Sequence, residues 1–124
     1  MAKHEMAGEF MGLMFLSRDV AHREHLKTKS YAVHKATQKF YEGIVDLADK
    51  FAEAFQGRHN VLLDIPFLDN TSKGDIAEVL ESHVNWIAEH RAEICPKTET
   101  PIHNIIDEIA SLYYSTLYKL RFLS

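Results

Sequence analysis

Two connections of unequal length constrain this chain more than any other feature. Residues 27–29 separate the first two helical segments, whereas residues 58–70 separate the second from the third. Helices joined by so short a turn must be antiparallel neighbours. The longer piece, RHNVLLDIPFLDN, holds a proline and no helical period. Extended, its thirteen residues reach roughly 40 Å. That is about the length of the helix before it, so the segment can return the chain to the far end, laid against the protein by its apolar residues.

Apolar periodicity places the helices around these connections. Met6, Phe10, Leu13, Ser17, Val20 and Ala21 recur at steps of three and four, predicting a first helix over residues 5–27. Ser30 is the expected N-cap of the second. That helix carries Val33, Phe40, Ile44, Leu47, Phe51 and Phe55 on one stripe and is expected to stop at Gly57, a C-terminal glycine. The third is expected to begin near residues 70–72 and to run through Ile76, Val79, Leu80, Ile87 and Ile94 until Pro96. Thr100-Pro101 then reads as an N-cap with proline at the first helical position, opening a fourth helix through Ile102, Ile105, Ile109, Leu112, Tyr113 and Leu120. The expected fold is all-α: one domain over residues 1–124, a ferritin-like four-helix bundle with one long crossover between helices 2 and 3. A chain of 124 residues that is 46% apolar and 26% charged suits a single helical domain.

Charge and cysteine usage narrow the function classes. A formal charge of −4, with both signs interspersed, gives no basic excess for sequence-independent DNA binding, so nucleic acid is not an expected partner. The single cysteine, Cys95, forms no internal disulfide, which fits a reducing compartment. The apolar stretch at residues 11–16 is far too short to span a bilayer, and no basic leader or cleavage site accompanies it. The expected location is cytoplasmic.

His22, His34, Gln38, Asp49 and Glu53 follow one another at steps of 12, 4, 11 and 4 residues. The four-residue steps put side chains one turn apart on one helical face, and the residue types are those that bind a borderline divalent metal. On a single helix Asp49 lies about 22 Å from His34, at roughly 1.5 Å per residue. One chain therefore cannot close both imidazoles and both carboxylates on one ion. Two copies packed antiparallel across a two-fold axis can, and they would form two identical sites. On the second helix, His34, Gln38, Tyr41, Val45, Asp49 and Ala52 form a stripe about 120° from the apolar one, at 100° per residue. The small residues at 48 and 52 are expected to let a partner helix approach. The plainer alternatives are a solvated Asp49/Glu53 face beside Lys50 and Arg58, and surface or capping histidines near the turn.

With these residues in place, the chain resembles the Dps family, the miniferritins that oxidise and store iron. In that family a histidine near the end of the first helix is followed at the same spacing by a second histidine, an acidic residue, a carboxylate and a glutamate. Tyr41 and Gly57 also stand where the family often has those residues, and the resemblance covers residues 10–57. It implies a ferroxidase site shared between two-fold-related subunits, with His22, His34 and Gln38 from one chain and Asp49 and Glu53 from the other. Iron, Fe(II) and Fe(III), is the implied metal, with zinc as a substitute. The implied partner is a second copy, with a larger cage as further assembly. His25 stays open between an extra ligand, a partner that positions a ligand, and a surface histidine. The chain departs from the family at Gln38, where an acidic ligand is usual, and at Arg23, where tryptophan is usual. It also lacks a lysine-rich arm, for which Lys3 alone does not substitute, and the crossover shows no small helix. The alternative reading is a non-enzymatic ferritin-like assembly or interaction protein with a degenerate site. Cys95 has no evident base beside it and is not expected to act as a nucleophile.

Overall fold

A computed structural model describes residues 4–124; Lys3 lies outside the described residues. Four helices form, α1 (Glu5–Lys27), α2 (Tyr31–His59), α3 (Ile76–Ile94) and α4 (Thr100–Phe122), and the described residues include no strand. The protein is all-helical, as its periodicity predicts.

Three helix ends differ from expectation, each for a local chemical reason. The Ser30 side chain caps α2 as expected, accepting from the Val33 N–H at 3.2 Å. The helix runs past Gly57 to His59, because Asn60 takes the left-handed conformation at φ 54° that usually falls to a C-terminal glycine. α3 starts at Ile76, later than residues 70–72. Gly74 turns the chain at φ 106°, and Asp75 with Glu78 then forms a capping box. The Asp75 carboxylate accepts from the Glu78 N–H at 2.9 Å, and Glu78 accepts from the Asp75 N–H at 3.1 Å. Thr100 is the first residue of α4 and Glu99 its N-cap, a shift of one position that leaves Pro101 in the first turn, where it forfeits no helical hydrogen bond.

The helices pack in the cyclic order α1, α2, α4, α3. Phe10 meets Phe51 near one end of the α1–α2 pair, and His25 meets His34 at the other. On the other side of α2, Phe40 lies against Tyr113, and Lys50 pairs with Glu108. Arg91 pairs with Asp107, and Arg121 with Glu81, between α3 and α4. All three pairs are antiparallel, so α2 and α3 run parallel. The residues between them must therefore travel the length of the molecule.

They do so over α1, along a track that the sequence builds from two glycines. A Cβ on Gly8 would collide with the carbonyl oxygen of Asp64, and one on Gly12 would lie 2.7 Å from that of Pro66. Lacking side chains, these positions one turn apart let the crossover backbone sit directly on the helix. Gln56 helps tie the departing chain, its side-chain oxygen accepting from the Leu63 N–H at 3.0 Å. The core inside the four helices is built from Phe10, Met14, Phe40, Phe51, Phe55, Leu80, Ile106 and Tyr113, all sealed from solvent.

Candidate functional site

The histidines of the sequence constellation meet at the α1–α2 turn. His25 is buried, and His22 and His34 are half-buried. The rings of His25 and His34 stack with centroids 3.7 Å apart. Each also reaches the other's backbone: His25 Nδ1 lies 2.7 Å from the carbonyl oxygen of His34, and His34 Nδ1 lies 2.8 Å from that of His25. A carbonyl oxygen only accepts, so both Nδ1 atoms carry a proton, and in the neutral imidazole Nε2 is the atom with the lone pair. His22 stacks on Tyr41 at 4.2 Å, and the Arg18 guanidinium carbon stands 5.9 Å from the same ring centroid. The result is a layered cluster that fastens the end of α1 to the start of α2. It also answers part of the question about His25, which is a buried partner that orients His34 and not a surface residue.

The other sequence candidates lie elsewhere. Gln38 is half-buried, and its side-chain amide donates to Glu42 Oε1 at 3.0 Å. Asp49 and Glu53 are exposed on the outer face of α2. Because α2 is continuous from Tyr31 to His59, Asp49 stays about 22 Å and Glu53 about 28 Å along the axis from His34, at roughly 1.5 Å per residue. Among the described residues, no group of three or more His, Cys, Asp or Glu is placed to hold a metal. The mixed stripe of α2 divides: Tyr41 turns toward α1, while Gln38, Val45 and Asp49 face outward. Ala48 is not available to a partner helix, being buried in this chain's own core.

Sequence reasoning missed two buried polar links. In the first, Tyr113 donates to Ser17 Oγ at 2.6 Å, and Ser17 Oγ lies 2.7 Å from His83 Nδ1. This joins α4, α1 and α3 through the core. Burial pushes His83 down to about 4 and pushes Tyr113 up, so both are neutral at pH 7. A serine on the apolar stripe of α1 was the available signal, although nothing local to Ser17 names its partners. The second link closes the α3–α4 turn. The Arg91 guanidinium donates to His103 Nδ1 at 3.1 Å, and His103 Nε2–H donates to the Cys95 carbonyl at 3.0 Å. Cys95 itself is buried, and desolvation, with Glu99 adding and Arg91 opposing, pushes its thiol up to about 11. A thiol so disposed is a poor nucleophile, in keeping with the sequence reading.

Four antiparallel-packed helices, a histidine cluster at the α1–α2 turn and a buried polar link through the core define an all-helical protein. The chain belongs to the family of unknown function DUF5856, whose model matches residues 25–120. The match takes in His25, His34, Gln38, Asp49 and Glu53 and begins just beyond His22. The chain is also similar to the uncharacterized 14.6 kDa protein in the mobD-ri intergenic region of Enterobacteria phage T4. The two are 29% identical over 118 residues, covering 95% of this chain and 90% of that one. No solved structure matches the chain.

Proposed function

We propose that this chain is a ferritin-like protein that takes Fe(II) as its substrate, at sites assembled between two copies. The resemblance to Dps miniferritins supplies the residue assignment. His22 and His34 of one copy would face Asp49 and Glu53 of the other, with Gln38 beside them. The one long crossover between parallel α2 and α3 is the connection that ferritin-like bundles use.

The state of His34 carries this reading. Metal-binding histidines generally donate their second ring N–H to a carbonyl or carboxylate, which fixes the tautomer and leaves a lone pair for the ion. The Nδ1–H bond of His34 to the His25 carbonyl supplies that arrangement before any metal binds. Imidazole and carboxylate oxygen together suit Fe(II), and carboxylates favour the harder Fe(III). Each Fe(II) gives one electron to peroxide or dioxygen, and Asp49 and Glu53 balance part of the added positive charge. An exposed carboxylate pair is free to approach such a site from a second molecule.

An anaerobic Fe(II) titration, with the mass measured in solution, tests the proposal. The expected result is a dimer or larger assembly that binds Fe(II) and then consumes peroxide or dioxygen. His34→Ala and Asp49→Ala should each abolish oxidation. Mixing the two inactive variants should restore it in part, because a mixed dimer contains one site with both residues intact. A monomer, or a mixture that stays inactive while forming dimers, would rule out the shared site.

One observation favours a second reading, a helical assembly protein without iron chemistry. Gln38 brings no charge, and its amide is occupied by Glu42. On that reading the wild-type protein assembles but consumes no oxidant.

A further inference from the structure

His83 is 3% exposed, yet it belongs to the wall of a groove between α1, α3 and the crossover, with a volume of about 490 Å³. Its hydrogen bonding is directional. Ser17 is sealed from solvent and its Oγ accepts from Tyr113, so His83 Nδ1, 2.7 Å away, is the acceptor left for the serine's own proton. Nδ1 therefore holds a lone pair and the ring proton sits on Nε2. This tautomer is opposite to that of His25 and His34. Among the described residues no buried side-chain nitrogen or oxygen lacks a partner. The Nε2–H bonds to no described residue, so it must be the part of the ring that opens into the groove.

The rest of the wall defines what such a donor could meet. Leu13 and Leu16 of α1, Leu68 of the crossover and Trp86 of α3 supply apolar surface. Glu9 and Asp69 also line the groove, which has no lysine or arginine. The walls thus offer a fixed imidazole donor, the hydroxyls of Thr71, Ser72 and Ser82, a flat aromatic neighbour and a negative field. A cleft of this volume, walled by apolar side chains and several polar ones, has room for a small molecule. The carboxylates disfavour an anion, and an uncharged His83 adds no compensating positive charge.

We propose that this groove binds a small, flat, uncharged molecule through a carbonyl oxygen that accepts from His83 Nε2–H beside Trp86. The site lies away from the histidine cluster at the α1–α2 turn and does not depend on iron chemistry there. Ser17 and Tyr113 are positioning residues, since they fix the direction in which His83 donates.

Trp86 is the only tryptophan in the chain, so its fluorescence reports on the groove directly. The probe is benzamide, with benzoate as its anionic counterpart of the same shape. Benzamide is expected to change the Trp86 emission saturably at millimolar concentration and to shift the Nε2 nitrogen resonance of His83. Benzoate should bind roughly tenfold more weakly, equivalent to about 1.4 kcal/mol. Ser82→Phe, at an exposed position on the groove wall, should abolish the benzamide response while leaving the helical circular dichroism and the Ser17–His83 relay intact. His83→Phe should abolish it as well. The proposal is overturned by a wild-type response that never saturates, by equal affinity for benzoate, or by a folded Ser82→Phe variant that binds as wild type does.

Discussion

At the scale of single residues, the histidines show how environment divides one residue type into separate roles. As neutral imidazoles His25 and His34 keep the lone pair at Nε2, whereas His83 carries its proton there, and hydrogen-bond partners make the difference. His83 also makes a clear pH prediction. Burial lowers its folded value from 6.5 to about 4, so the unfolded chain binds the proton more readily. Its contribution to stability is complete above pH 6.5, falls as the pH drops from 6.5 toward 4, and levels off below. At about 1.4 kcal/mol for each tenfold change in proton affinity, the loss is on the order of 3 kcal/mol. Urea unfolding across this window should show a shallower acid limb in His83→Gln than in the wild-type protein. At Cys95, burial and a thiol pushed up to about 11 predict negligible alkylation by iodoacetamide in the native state and rapid labelling in denaturant, as mass spectrometry would show.

At the scale of elements, glycine has different meanings along the chain. Gly8 and Gly12 form the track under the crossover, where a methyl group meets backbone that cannot swing away. Gly12→Ala gains up to about 1 kcal/mol of helix propensity but adds an overpacking cost of roughly 1–3 kcal/mol. Net destabilisation is expected by chemical denaturation. Gly57 is the opposite case. It lies inside α2, and a Cβ there meets nothing within 4 Å. Gly57→Ala should therefore stabilise the protein by roughly 0.5–1 kcal/mol. Had Gly57 been the left-handed terminus that its sequence position suggests, the same substitution would be destabilising, so the sign of this measurement decides between the two descriptions. The α3 cap offers a third check, since Asp75→Ala should cost about 1 kcal/mol.

At the scale of the whole molecule, the rigid length of α2 dominates. It holds His34 and Asp49 apart, so iron chemistry at these residues requires a second chain. Val45 lies between them on the outer face and is partly exposed. Val45→Lys should leave the fold intact, dissociate the proposed dimer in a sedimentation measurement and remove Fe(II) oxidation with it. No helix of the described residues is long and apolar enough to cross a membrane, and most outward positions of α2 carry polar side chains.

Local sequence specifies the four helices, the short turn and the long crossover. Each follows from interactions within a few residues: apolar spacing at three and four, Ser30 at a cap, and proline where a helix cannot continue. The C-terminal end of α2 and the start of α3 differ from the sequence reading because Asn60 and the Asp75–Glu78 box act in place of Gly57 and residues 70–72. Only the tertiary structure decided that Ala48 belongs to the core, that Gly8 and Gly12 carry the crossover, and that Ser17 joins Tyr113 to His83. Those links span up to 96 residues, and no local pattern specifies which distant group will satisfy a buried hydroxyl. The spacing from His22 to Glu53 is legible in the sequence, and its use as a ligand set is the proposal made above. Folding added the His25–His34 bonds that set the proton positions, because a tautomer depends on neighbours that only packing brings together.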